Sequence, residues 1–180
     1  MSSNSPYQIQ RDPPKDHPAE WSEIAPTLQE ALVTAIHVKK WPIYLFGEQG
    51  RGKTCAMAWL FTIWPNWPRW FDAIDFTRCV QERRSGDSGD RYFWESNVDD
   101  ASLFLLDDVG IRLPSDSVFE VIYELSNRRG TKPTVYASNL TPEQLANVFD
   151  ARVASRMLRG TVIEVTGEDR RMRNHRFVQA

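Results

Sequence analysis

Gly47, four spacer residues, Gly52, Lys53 and Thr54 make up the string GEQGRGKT at positions 47–54. Each residue type at that spacing answers a demand set by a bound polyphosphate. Glycines tolerate positive φ and carry no Cβ, so successive backbone N–H groups can turn into one concavity that fits an anion. Lys53 is placed to reach the β- and γ-phosphates and the Thr54 hydroxyl to hold Mg2+. The ATP-binding set expected from the string is Gly47, Glu48, Gln49, Gly50, Arg51, Gly52, Lys53 and Thr54, with Cys55 directly after it.

Two further constellations follow in chain order. Asp107 and Asp108 end the apolar run SLFLLDDVG at 102–110. One carboxylate at such a place serves the Mg2+ shell and a second orients and deprotonates water, so Asp107 is assigned to the metal with Thr54, and Asp108 to the base. Asn139 closes PTVYASN at 133–139, where an amide can hydrogen-bond both a γ-phosphate and an attacking water. The plainer reading of all three is turn chemistry, and their order behind a glycine loop favours the catalytic one.

These residues need a frame. WPIYLF (41–46) reads as a buried strand, and TCAMAWLFTIW (54–64), stopped by Pro65, as the helix behind the loop. Apolar positions Leu28, Leu32, Val33 and Ile36 put a helix over Pro26–Lys40. Trp70–Ile74 reads as a second strand, Phe76–Arg84 as a helix, and SGDSGD (85–90) as a loop. The run at 102–110 has the look of a central parallel strand. Ser117–Arg129 is expected to be helical and closed by Gly130, with 133–139 a fourth strand and Thr141-Pro142 a capped helix start. A helix over Ala151–Leu158 and a strand over Thr161–Val165 complete the pattern. Strands alternating with helices imply a mostly parallel sheet that binds ligands at the C-terminal ends of its strands.

The 180 residues allow one sizeable domain, expected over 21–180, behind a polar, proline-bearing tail at 1–20. Two cysteines are too few for a disulfide framework, and no apolar run is long enough for a membrane span, so a reduced, cytoplasmic protein with no membrane partner is expected. Net charge is −2, but residues 150–180 carry seven arginines against four acidic residues, a basic end that suits an acidic partner.

GEQGRGKT, LFLLDDVG, NRRGTKPTVYASNL (127–140), DARVASRM (150–157) and GEDRR (167–171) together resemble the AAA+ ATPases of the DnaC helicase-loader and IstB transposition-helper group. The resemblance implies an α/β P-loop core with a five-stranded parallel sheet of order 5-1-4-3-2, no helical lid, and ATP bound with Mg2+ between subunits of a homo-oligomer. It implies a sensor role for Asn139 and an arginine finger, acting on the neighbouring subunit, for Arg156. Arg171 matches a late arginine of the group, with its role open. The implied partners are single-stranded or duplex DNA and a replicative helicase or transposase, in a bacterial or phage setting. Asp108 stands where the group often has Glu, one methylene longer, which predicts slow hydrolysis.

In that group the segment corresponding to 75–100 carries DNA-touching helices. Arg78, Arg83 and Arg84 lie there, with Arg91 and the aromatics Phe76, Tyr92, Phe93 and Trp94. Arginines paired with phosphates and aromatics stacked on unpaired bases would bind a single strand; the alternative is core aromatics beneath a solvated charged face. Trp59, Trp64, Trp67 and Trp70 read as packing. Two other functions fit the glycine loop: a small nucleoside or nucleotide kinase, for which DRYF (90–93) is the one hint, and a nucleotide-binding adaptor without turnover.

Overall fold

Successive residues of a strand point to opposite faces, so a strand buried along nearly its whole length must be covered on both. Ile43–Phe46 (β1), Leu103–Val109 (β3) and Thr134–Ser138 (β4) are of this kind. The computed structural model, which describes residues 12–15, 19–84, 90–111 and 113–168, places them in the interior of one sheet. Pro68–Asp72 (β2) and Thr161–Glu164 (β5) form its edges. The order is β2-β3-β4-β1-β5 with every pair parallel, which is the expected 5-1-4-3-2 read from the other edge.

Helices cover both faces. Pro26–Val38 (α1) and Lys53–Ile63 (α2) pack on the face carrying Ile43, Leu45, Leu105 and Val135. The other face carries Tyr44, Phe104, Leu106 and Tyr136. It is covered by Ala73–Arg84 (α3), Asp90–Trp94 (α4), Asp116–Arg129 (α5), Pro142–Phe149 (α6) and Ala151–Met157 (α7). Among the described residues β5 is the last element, and no helix is long and apolar enough to cross a membrane. Residues 1–11 and 16–18 of the expected tail, the loop residues 85–89 and Arg171 lie outside the described residues.

Three boundaries differ from expectation. β2 begins at Pro68, two residues early, because the first position of an edge strand needs no ladder donor. α3 begins at Ala73 because Asp72 Oδ1 accepts a hydrogen bond from the Ile74 N–H at 2.8 Å, the cap of a helix start. Residues 90–99 are helical throughout, α4 running into a single π-helical turn at Glu95–Asp99. α4 delivers Phe93 and Trp94 to the core, where the Trp94 ring meets Phe76 edge-on at 5.6 Å, and the π-turn after it buries Asn97 and Val98. Trp21 lies against Trp59 and Trp41 against Trp64, so the tryptophans other than exposed Trp67 serve packing.

At the opposite end of the sheet from the glycine loop, the guanidinium of Arg129 is 1% exposed. It donates to Val98 O at 2.6 Å, Ala101 O at 3.0 Å, Thr134 Oγ1 at 3.0 Å and Pro133 O. Burial pulls its pKa down to about 10, still far above neutrality. One cation thus joins the π-turn, the strand ends and α5. Arg129→Met keeps the stem and strands those acceptors, so unfolding in urea should show a loss of at least about 3 kcal/mol. A loss below about 1 kcal/mol would mean that water replaces the guanidinium without cost.

Candidate nucleotide-binding site

β1 delivers the chain into the glycine loop at the C-terminal edge of the sheet, and α2 leaves it with Gly52 as its cap at φ 97°. The loop's N–H groups and the positive end of α2 therefore face the same space, the arrangement that holds phosphate. Gly47, at φ 147°, is required for a second reason: a Cβ there would stand 2.3 Å from the carbonyl oxygen of Val165, directly after β5. Glu48 and Arg51 form an ion pair across the loop.

Lys53 is 7% exposed, and its ammonium donates to Gly47 O at 2.6 Å, Glu48 O at 2.9 Å and Asn139 Oδ1 at 2.8 Å. The two residues lie 86 positions apart, so this contact joins the ends of β1 and β4. The Thr54 hydroxyl donates to the carboxylate of Asp107, which brings the two expected metal ligands together. These oxygens are the hard donors that Mg2+ takes.

Asp107 is 6% exposed, and burial first, then the charge of Asp108, pushes its pKa up to about 6. Folding therefore confines a group that ionises near pH 4 when unfolded. The sign follows: the native protein holds the extra proton, so ionising Asp107 costs stability fully above pH 6, and the cost fades as pH falls from 6 to 4. Asp107→Asn should be about 1–3 kcal/mol more stable than the parent at pH 8, with the difference shrinking towards pH 4. The same variant should lose Mg2+-dependent nucleotide binding. A pH-independent difference in melting curves would assign the burial cost elsewhere.

Asp108 sits where the β3–β4 register shifts between Leu106 and Val109, and its φ is 56°. A bulge re-aims a side chain, and a non-glycine residue in the left-handed region marks a constrained site. Its N–H donates to Asp107 Oδ1 at 2.9 Å. The residue lines a cavity of about 280 Å3 between α3, α5 and the loop after β3. The cavity of about 390 Å3 beside the glycine loop is lined by Gly47, Glu48, Arg51 and Asn139, and by residues that sequence reasoning missed: Phe46, Thr141, Gln144, Glu164, Val165, Thr166 and Gly167. Their signal was positional, since they follow the C-terminal ends of β1, β4 and β5. The volume lies within the roughly 300–1,000 Å3 of small-molecule sites.

Arg156 lines neither cavity. It stands on α7, capped by Asp150, with its guanidinium 4.7 Å from the centroid of the Tyr123 ring on α5 and Nη1 donating to Arg152 O. The candidate nucleic-acid arginines are placed at the surface in local pairs: Arg78 with Asp75, Arg84 with Glu120 and Glu124, and Arg83 over the Phe93 ring at 4.6 Å. Phe76, Phe93 and Trp94 are buried, so they are not available to stack on bases; of that set only Tyr92, 74% exposed, faces solvent. Of the two readings of this segment, the burial of these rings favours core aromatics beneath a charged face.

No protein-family model matches the chain, and no curated protein matches it. Solved structures do. The AMPPCP-bound DnaA of Aquifex aeolicus superposes with a TM-score of 0.72 at 19% identity, over 88% of this chain and 53% of that one. A DnaA replication initiator bound to AMPPCP and single-stranded DNA gives 0.69 at 21%, over 81% and 47%. The DnaC helicase loader gives 0.67 at 18%, over 87% and 97%. The chain thus spans about half the length of the DnaA structures and nearly all of the DnaC one.

Proposed function

We propose that this chain, whose fold is the AAA+ fold of replication initiators and helicase loaders, is an ATPase that binds ATP with Mg2+, hydrolyses it slowly as a homo-oligomer, and acts on DNA in replication or transposition. The observation that carries the reading is the hydrogen bond from Lys53 to Asn139 in the cavity wall, because it sets the phosphate-binding cation against an amide at the end of β4. AMPPCP in the DnaA structures supports the choice of nucleotide, and the single strand in one of them supports DNA as partner. A replicative helicase or transposase as protein partner, and a bacterial or phage cytoplasm, belong to the same reading, as does a single core over 21–180.

ATP supplies the phosphoryl bond whose hydrolysis resets the switch. The chain's own part is binding and orientation. Lys53 exchanges its carbonyl partners for phosphate oxygens, which frees Asn139 to report on the terminal phosphate. Thr54 and Asp107, whose oxygens are hard donors, would hold the metal. Asp108, turned out at the bulge, is the base that takes a proton from water. Arg156, on α7 and in the lining of neither cavity, serves the site of a neighbouring subunit.

Asp108→Asn should keep Mg2+-ATP bound and lower phosphate release about 10²–10⁴-fold. The same assay separates the kinase: a phosphorylated nucleoside instead of free phosphate would overturn the proposal. The hint for a kinase weakens in the structure, since Arg91 of DRYF lies on α4, exposed and paired with Glu95. Binding without any phosphate release at high protein concentration would leave the adaptor.

A further inference from the structure

The bulge that turns Asp108 out leaves a break in the β3–β4 ladder. Leu106 pairs with Tyr136 and Val109 with Ser138, so Asp107 and Asp108 together stand opposite Ala137 alone. One side chain spans the break. Ser138, the last residue of β4, is 1% exposed, and its hydroxyl donates to Val109 O at 2.5 Å and accepts from the Leu140 N–H at 3.0 Å. Val109 follows Asp108, and Ser138 and Leu140 flank Asn139. A single oxygen thus ties the backbone beside the candidate base to the backbone on both sides of the candidate sensor.

Two further contacts hold Leu140. The Tyr44 hydroxyl, from β1, donates to Leu140 O at 2.9 Å and lies within hydrogen-bonding reach of the Ser138 hydroxyl. The Leu140 side chain lies over Gly110, where a Cβ would stand 2.4 Å from Leu140 Cδ1. The chain leaving β4 is therefore fixed from β1 and from the end of β3, while the Asn139 side chain between these anchors is left to meet Lys53. A buried acceptor and a buried donor that share one hydroxyl lose it together, and the two strand ends are then free to shift against each other. We propose, on the reading of this site as that of an ATPase, that Ser138 is a positioning residue: its hydroxyl locks Asp108 and Asn139 into one relative placement. The amide that reads the terminal phosphate and the base that takes a proton from water then move as a unit. A misplacement of about 1 Å at a reacting group can cost about 10²-fold in rate, whereas Lys53 and the glycine loop hold phosphate without this hydroxyl.

Ser138→Ala in the full chain tests this, first without nucleotide. Amide hydrogen exchange at Leu140 should rise at least about 10-fold, while that at Tyr136, inside β4, stays as in the parent. With ATP and Mg2+, kcat for phosphate release should fall about 10–100-fold and KM should stay within about threefold of the parent's. Ser138→Thr, which keeps the hydroxyl, should restore most of the rate. In an Asp108→Asn background Ser138→Ala should cost less than about threefold, because the group it positions is already lost. Unchanged exchange at Leu140, a loss carried by KM, no recovery in a folded Ser138→Thr, or a full loss on top of Asp108→Asn each overturns the positioning role. Where Ser138→Ala does not fold, Ser138→Cys, which donates only weakly, is read by the same measurements. A parent that releases no phosphate overturns the ATPase reading and the role of Ser138 with it. A parent that hydrolyses no faster than Ser138→Ala overturns the role of Ser138 alone.

Discussion

Lys53→Ala will bind ATP about 10²–10⁴-fold more weakly than the parent chain, because two hydrogen bonds from a cation to phosphate, each worth about 1.5–3 kcal/mol, are lost together. The effect is large because the ammonium is buried and already oriented. Its partners at Gly47, Glu48 and Asn139 converge where the anion would lie, so binding exchanges acceptors without moving the stem. In the alanine variant those oxygens remain without their donor and face the phosphate. Titration with a fluorescent ATP analogue measures the change, and circular dichroism checks that the fold is kept. An affinity within a factor of three of the parent's would withdraw the nucleotide site.

The second large effect belongs to Arg156. A finger supplied by a neighbour is worth about 10³–10⁵ in rate, or about 4–7 kcal/mol at the transition state. Arg156→Ala should therefore bind ATP nearly as the parent does and lose hydrolysis by that factor. Its contact with Tyr123 is half-buried and is a single cation–π pair, so removal should cost about 1–2 kcal/mol of stability. Mixing decides between a neighbour's site and its own. Arg156→Ala keeps a complete pocket, Lys53→Ala keeps a complete α7, and the two inactive proteins together should recover phosphate release wherever one pocket meets the other's arginine. Co-assembled mixtures that stay inactive would make Arg156 a tie between α7 and α5 and nothing more.

The glycine loop, its flanking strand and the central strand at 102–110 were legible because each is a local pattern: apolar runs of strand length, punctuated by glycine or aspartate. The strand order was legible only through resemblance, since parallel pairing between segments 29 to 118 residues apart leaves no local trace. The start of α3 was missed although Asp72 is an ordinary cap residue, because the aromatics before it looked like continuing strand. The helix at 90–99 was missed for a different reason: DRYFWESNVD has no clean helical stripe, its aromatics being consecutive, with Phe93 and Trp94 buried on α4 and Tyr92 exposed. Site residues in sequence with the loop were found, whereas the wall built by Gln144, Glu164 and Thr166 comes from the convergence of strand ends, which appears only in three dimensions. The burial of Phe76, Phe93 and Trp94 was not decided by composition, since arginine and aromatic neighbours look alike whether their rings point in or out.

The packing of Gly47 beneath the Val165 carbonyl changes how alleles at this locus would have to be interpreted. Any side chain at position 47 pushes β5 away from β1 whether or not a nucleotide is ever present, so a loss-of-function phenotype there reports a damaged scaffold. The first glycine of the loop is tolerant of nothing for reasons unrelated to phosphate. Truncating Lys53 removes hydrogen bonds but creates no clash, so its scaffold cost is the smaller one. In a mutational scan read out by abundance, position 47 should be depleted and position 53 retained, and only a readout of activity would place them in the same class.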